Sequence, residues 1–410
     1  MAKFVILLNM IILSPLSQFF GDESAIILRC VQILTFVSSL QYMRFEKTGN
    51  NTNTKLVTIL ISLFVLIFIS EIFHTPKDYI SLLRHLSHVF YIIGLIFLLK
   101  HISREFMRKC LMFLTFSYLL EVLAYIFING LGNIGTFIDL NRMYEFKRFK
   151  YELEEYGYSL SSFHIIPFVT FWILPYLRSV KRQLILLGVA SFIMVLSFTF
   201  TALISYIAVC LVYLYVIRKK RVYSAKFLLN LFLAGGGLIA ILICFFPMEL
   251  FQITTGRATL WEQAVKMIVE NPMWGCSMEE FYNSIDSYLI SGSFAKYINY
   301  DYIGGMFEFT TGSCHNIYLG MCMNYGIPLG ILYIVMIFTM WKIAINRTKN
   351  MIYLLPFLYL LIRGFGEFGG IIGSSNANLD FLFDIYIISL ISIPNINNEN
   401  KFKNSISVIS

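Results

Sequence analysis

Runs of about 20 apolar residues, the length an α-helix needs to cross a bilayer core, recur along the whole chain between short polar clusters. They predict spans near 4–20, 24–43, 56–73, 79–99, 110–129, 161–177, 183–197, 201–217, 227–246, 314–341, 351–365 and 378–394. The fold class that follows is all-α: a polytopic membrane protein of about 12 transmembrane helices, forming one integral membrane domain over 1–410. A large polar loop, 247–313, separates spans 9 and 10, and a second polar stretch covers 130–160. The first apolar run follows a lone Lys3 and has no small-x-small cleavage pattern, so it reads as a retained span rather than a signal peptide.

Composition sharpens this picture. Of the 410 residues, 58% are apolar and 14% charged, and the mean hydropathy is +0.71, outside the range of soluble chains. The net charge of +8 raises nucleic acid as a partner. The basic residues, however, sit in short clusters between apolar runs, where they orient spans, and this argues against nucleic acid. With both termini on the cytoplasmic side, 21 Lys and Arg face inward, 8 outward and 3 lie within spans, the full 32. The loops 130–160 and 247–313 then face outward. Seven cysteines, an odd number scattered mostly within spans, form no disulfide framework, and only Cys276 and Cys314 share a loop.

Ionisable residues inside spans are costly in lipid, so each needs a partner or a function. They are Arg29, Glu71, Arg84, His85, His88, Glu121, Arg363, Asp380 and Asp384, most of them in the outer halves of their spans. Snorkelling and interhelical ion pairs account for many, yet their shared side points to a polar cavity open outward. In the first outer loop, Arg142, Lys147, Arg148 and Lys150 are interleaved with aromatic residues. That pattern suits an interfacial amphipathic helix against lipid headgroups and equally an anion site.

The chemistry concentrates between Gly256 and Gly330. Residues 256–270 predict a helix that ends before Pro272. On it Arg257 lies about 40° from Trp261 and about 140° from Glu262, so it shares the apolar side with Trp261, Ala264 and Ile268. A guanidinium held there needs an anion: a phosphate or carboxylate ligand gripped by its planar fork, or a structural bridge to Glu121 or Glu367. At the far end of the loop, Ser313 is the expected N-cap, with His315 and Asn316 in the first turn of the next span. The helix dipole there disfavours imidazolium, which makes His315 a candidate base, with Asn316 beside it to position substrate. No Walker loop, HExxH pair, paired CxxC or serine elbow competes, and no metal-ligand spacing is seen.

Gly256-Arg257, Trp261, Asn271-Pro272, Gly275, His315-Asn316, Tyr318-Leu319 and Gly326 with Gly330 together resemble the C-terminal signature of the O-antigen polymerase and O-antigen ligase superfamily of bacterial envelope proteins. The resemblance implies an inverting, metal-independent, cofactor-free glycosyltransferase in the bacterial cytoplasmic membrane, with 247–313 in the periplasm. Its donor would be an undecaprenyl-diphosphate-linked oligosaccharide, and its surroundings would include membrane lipids, a chain-length regulator and a flippase. It implies Arg residues on the diphosphate and the loop His at the acceptor hydroxyl; taken with the reading of the residues, the expected site has Arg257 and His315 as catalytic residues, with Asn316, Arg142, Arg148, Arg363, Glu367 and Trp261 at the substrate. Two departures stand out. Cys276-Ser277 follows the Pro-x-x-Gly element where the family often has a second Gly. The run Ser197-Phe-Thr-Phe-Thr201 also lacks the Arg that ligases tend to carry there, and this favours a polymerase. A ligase acting on lipid A-core is the neighbouring alternative. A transporter or flippase is the alternative of another class, and it would show two similar halves with interrupted helices, a repeat not found here.

Overall fold

The computed structural model describes residues 1–17, 24–43, 51–73, 79–128, 161–177, 179–197, 200–219, 257–277, 279–281, 283–284, 314–367 and 377–392, with isolated positions between 230 and 245. Every regular element among the described residues is helical. In chain order these are α1 (Ala2–Ile12), α2 (Ser24–Met43), α3 (Asn51–Phe73), α4 (Tyr79–Leu99), α5 (Arg104–Ile128), α6 (Ser161–Ile173), α7 (Val180–Ser197), α8 (Phe200–Lys219), α9 (Arg257–Glu270), α10 (Ile317–Tyr325), α11 (Ile327–Thr348), α12 (Leu355–Arg363) and α13 (Ala377–Ser392). Short 3₁₀ turns at Leu174–Tyr176 and Met351–Leu354 extend α6 and introduce α12. The all-α class is therefore observed. One described helix, α11, is long and apolar enough by itself to cross a membrane, and several shorter apolar helices accompany it.

Two expected boundaries change. The run 314–341 is not one helix, because the chain turns at Gly326 and Pro328 starts α11 afresh. The first run, 4–20, supplies only an 11-residue helix, α1, before a 3₁₀ turn. The predicted span 227–246, apart from isolated positions, and the loop 130–160 with Arg142 and Arg148 lie outside the described residues, as do Ser313 and the side chains of Glu71, Arg84 and His85.

Packing is inverted relative to a soluble domain. Large apolar side chains such as Phe116, Phe192, Leu211 and Ile331 face outward, while Asn9, Thr35, His88 and Asp384 are buried. Lipid accepts the first set without cost, and the second must be satisfied by neighbouring helices. His88 of α4 pairs with Asp384 of α13, Tyr91 donates to Asn9 Oδ1 (2.9 Å), and Asn9 Nδ2 donates to Thr35 Oγ1 (2.9 Å), which ties α4 to α1 and α1 to α2. Arg29 donates to Gln32 (2.9 Å) and Ser87 (3.3 Å). Several intraspan charges thus serve helix pairing.

The half of the bundle that matters for chemistry is built from α6, α8, α9, α10 and α12. Helix α12 packs on both α6 and α8, and α9 packs on α10. These contacts bring the end of α12, the starts of α8 and α9, and the approach to α10 to one place.

Candidate active site

Helix α9 begins at Arg257, and three acceptors fix the guanidinium. Nη1 donates to Thr201 Oγ1 (2.9 Å) and to the Gly366 carbonyl, and Nη2 meets Glu367 Oε1 at 2.9 Å. Among the described residues these contacts use three of the five N–H groups of the arginine and leave the Nε–H and one Nη2–H, enough to meet a phosphate or carboxylate. Of the two partners considered from the sequence, Glu121 and Glu367, the structure selects Glu367.

Glu367 is held by the chain end that follows α12. Its N–H donates to the Arg363 carbonyl (3.0 Å), and its second carboxylate oxygen, Oε2, lies 3.3 Å from His315 Nδ1. One carboxylate thus joins the arginine and the histidine. Burial alone would raise the Glu367 carboxyl, but the Arg257 charge and the His315 hydrogen bond outweigh it and hold the group well below the usual carboxylate range. An ionised carboxylate only accepts hydrogen bonds, so the proton of neutral His315 sits on Nδ1 and its lone pair on Nε2. The side chains of Arg257 and His315 are 24% and 29% exposed, so this buried carboxylate supports two groups that still reach the surface.

His315 does not lie in a helical turn, contrary to expectation. It precedes α10 with φ 48, and Asn316, not Ser313, is the N-cap. Asn316 Oδ1 accepts from the N–H groups of Tyr318 (3.0 Å) and Leu319 (3.1 Å), and its Nδ2 donates to the Phe365 carbonyl (3.0 Å). Ile317 N–H donates to the Gly364 carbonyl (2.9 Å). These bonds pin the chain on both sides of His315 and hold it in a left-handed conformation costing roughly 1–2 kcal/mol. Such strain is found where a side chain must be aimed. With its amide committed in this way, Asn316 positions His315 through the backbone.

The remaining signature residues form a clamp. The Asn271–Gly275 turn closes with Gly275 N–H donating to the Asn271 carbonyl (3.1 Å). It crosses the α10–α11 junction, where Cys276 N–H donates to Met323 O (2.8 Å) and Ile327 N–H to Pro272 O (2.8 Å). Gly275 (φ 74) and Gly326 (φ 87) face each other's strands of this crossing, and a Cβ on Gly326 would overlap the Met273 carbonyl. Only glycine serves there. Beneath the crossing, Leu260, Ala264, Met267, Phe281 and Met323 enclose Cys276 and Cys314, both free thiols. Burial pushes Cys276 up to about 12, which leaves it protonated at neutral pH. The clamp fixes α9, and hence Arg257, relative to α10.

Trp261, one turn beyond Arg257, is buried, and its indole Nε1 has no hydrogen-bond partner among the described residues. Arg363 is also buried and donates from Nε to His164 Nδ1 (3.0 Å). Sequence reasoning missed Thr201 and His164 as site residues. Thr201 was noticed only for the arginine it is not, and a lone histidine four residues into an apolar run carries no pattern.

Residues 185–334 match a family described as O-antigen ligase. This match supports the O-antigen polymerase and ligase superfamily for that stretch of the chain. The family consists of membrane-embedded envelope enzymes of glycosyl transfer that act in O-antigen and lipopolysaccharide biosynthesis. No curated protein matches the chain. Thr201, Arg257, His315 and Asn316 fall inside the matched stretch, whereas His164, Arg363 and Glu367 fall outside it. The carboxylate that joins Arg257 and His315 therefore comes from a part of the chain the family match does not reach.

Proposed function

We propose that the chain is a polysaccharide polymerase, transferring glycan from an undecaprenyl-diphosphate-linked donor to the acceptor sugar of a lipid-linked repeat unit at the periplasmic face of the bacterial cytoplasmic membrane. The observation that carries this reading is Glu367 holding Arg257 at 2.9 Å through one oxygen and His315 at 3.3 Å through the other. Diphosphate is already a good leaving group, so the protein has to neutralise it, align the acceptor and remove one proton. The acceptor oxygen attacks the anomeric carbon and its proton passes to His315 Nε2. The bond from carbon to diphosphate oxygen breaks, and the charge released there meets the side-on fork of Arg257. Attack from the face opposite the leaving group inverts the anomeric centre.

The polymerase is favoured over a ligase by Thr201. It occupies the region where ligases tend to carry an arginine, and here its hydroxyl accepts a hydrogen bond from Arg257 (2.9 Å). A second guanidinium at that place would lie against the first. The clustering of Lys and Arg in the inner segments supports about twelve spans with both termini cytoplasmic.

The test is reconstitution of the purified protein with lipid-linked repeat units. A ladder of longer lipid-linked glycans is the expected product. Transfer only to added lipid A-core would make the protein a ligase, and movement of units across the bilayer without covalent extension would make it a transporter. In intact spheroplasts, an impermeant maleimide should reach a cysteine introduced within 247–313 but not one within 44–55. The reverse labelling would overturn the orientation.

A further inference from the structure

The last carbonyls of an α-helix lack an intrahelical partner, and the helix dipole gathers negative charge there, which suits a cation. Helix α12 ends at Arg363, and the four residues after it, 364–367, each present an acceptor to the site. The Gly364 carbonyl accepts from Ile317 N–H (2.9 Å), the Phe365 carbonyl from Asn316 Nδ2 (3.0 Å) and the Gly366 carbonyl from Arg257 Nη1. The Glu367 carboxylate completes the row, with Arg257 at 2.9 Å and His315 at 3.3 Å. The N–H groups of the same residues turn back to α12. Gly364 donates to the Leu360 carbonyl (2.9 Å), Phe365 to that of Ile362 (3.2 Å), and Gly366 and Glu367 to that of Arg363 (2.9 and 3.0 Å). This strap is therefore anchored on one side and holds Arg257, His315 and Asn316 on the other.

The strap also runs close against the start of α8. A Cβ on Gly366 would come within 2.7 Å of Thr201 Cγ2 and 3.2 Å of Thr201 Oγ1. Gly366 has no positive φ, so its backbone would accept an alanine, and what a side chain would meet there is Thr201. Thr201 cannot yield without consequence. Its methyl and hydroxyl share one Cβ, so turning χ1 to clear the methyl swings the hydroxyl away from Arg257 Nη1, which now lies at 2.9 Å. Its backbone is committed as well, because its carbonyl accepts from Ser205 Oγ (2.7 Å) within α8.

We propose that Gly366 is a positioning residue of this site. Its missing side chain lets α8 and the strap close on Arg257 Nη1 together, Thr201 through its hydroxyl and Gly366 through its carbonyl. With Glu367 on Nη2, the guanidinium is then held at three points, which fix its plane as well as its place. The proposal rests on the glycosyl-transfer reading and adds what aims the cation that this reading sets against the lipid-linked diphosphate. Glu367 supplies the charge that keeps Arg257 in the site, and the Thr201–Gly366 contact supplies the direction.

Three substitutions isolate this contact. Gly366→Ala adds the one methyl that meets Thr201 Cγ2. Thr201→Ser removes Cγ2 and keeps the hydroxyl, and Thr201→Val keeps the bulk and removes the acceptor. With folded protein and purified lipid-linked repeat units, Gly366→Ala should cost about tenfold or more in kcat/KM in the wild-type background, and less than about threefold where Thr201→Ser is already present. Thr201→Val should be damaged about as much as Gly366→Ala, since both take the hydroxyl from Arg257. Equilibrium binding of undecaprenyl diphosphate, which needs no turnover, should follow the same order. Relief by a second truncation is the readout that a general loosening of packing would not give. If Gly366→Ala fails to accumulate in the membrane, Thr201→Val, which adds no heavy atom, and the Gly366→Ala/Thr201→Ser pair carry the test. Wild-type turnover and binding in Gly366→Ala or in Thr201→Val would overturn the proposal, as would damage that Thr201→Ser leaves unrelieved. A wild type that binds undecaprenyl diphosphate but builds no polymer would sink the polymerase reading alone, and the binding order of the variants would still decide the role of Gly366.

Discussion

Arg257→Lys should lower polymer formation about 100-fold or more while the protein still inserts and folds. Lysine keeps the charge but offers one tetrahedral ammonium in place of a planar fork. The wild-type guanidinium satisfies Thr201, the Gly366 carbonyl and Glu367 and still has its Nε–H and an Nη2–H to present. An ammonium with three donors can replace the anchors or grip the phosphate, but not both. Arg257→Ala should be worse, because it also strips Glu367 of the charge that offsets its burial. The carboxyl would then rise and hold His315 in its acceptor tautomer less firmly. The assay is product length with purified lipid-linked units, alongside protein level in the membrane. Long chains from the Lys variant at the wild-type rate would reduce Arg257 to a structural ion pair.

His315→Ala should lose a factor of about 10²–10⁴ in turnover, the usual contribution of a positioned base. The pH dependence of this trio comes from Glu367. Its folded value is depressed, so what it contributes is present above its unfolded value and is lost only as pH falls through the lower, folded one. The hold of Glu367 on Arg257 and His315 should therefore persist on mild acidification. Glu367→Gln separates orientation from proton transfer: it should cut turnover through the wrong His315 tautomer while leaving a folded protein. Wild-type chain lengths from His315→Ala would remove the base role and leave His315 as the residue that leads into α10.

The parts of this site that the sequence made legible are those announced by local spacing. Arg257 at the head of a helix with Trp261 on its face, and His315-Asn316 after the long loop, could be found by pattern alone. Their roles in the backbone could not. A continuous apolar run across 314–341 conceals the break at Gly326, although Gly followed by Pro two residues on is a legitimate boundary signal. Asn316 outcompetes Ser313 as the cap, because its amide meets two N–H groups of α10 and the Phe365 carbonyl together. Glu367 was visible only as one of two carboxylates able to meet Arg257. The choice between them is made by a contact spanning more than a hundred residues, which no local periodicity encodes. His164 and Arg363, 199 positions apart, are hidden for the same reason.

The shared carboxylate also sets how the site is charged through a turnover. With His315 neutral, Arg257 and Glu367 cancel and this trio carries no net charge. In the proposed transfer, taking the acceptor's proton turns it into a net cation at the moment the diphosphate is released. The grip on the spent lipid is therefore strongest just after transfer and relaxes only when the imidazolium sheds its proton. Product departure and resetting of the base then become a single event, one that His315→Ala should uncouple.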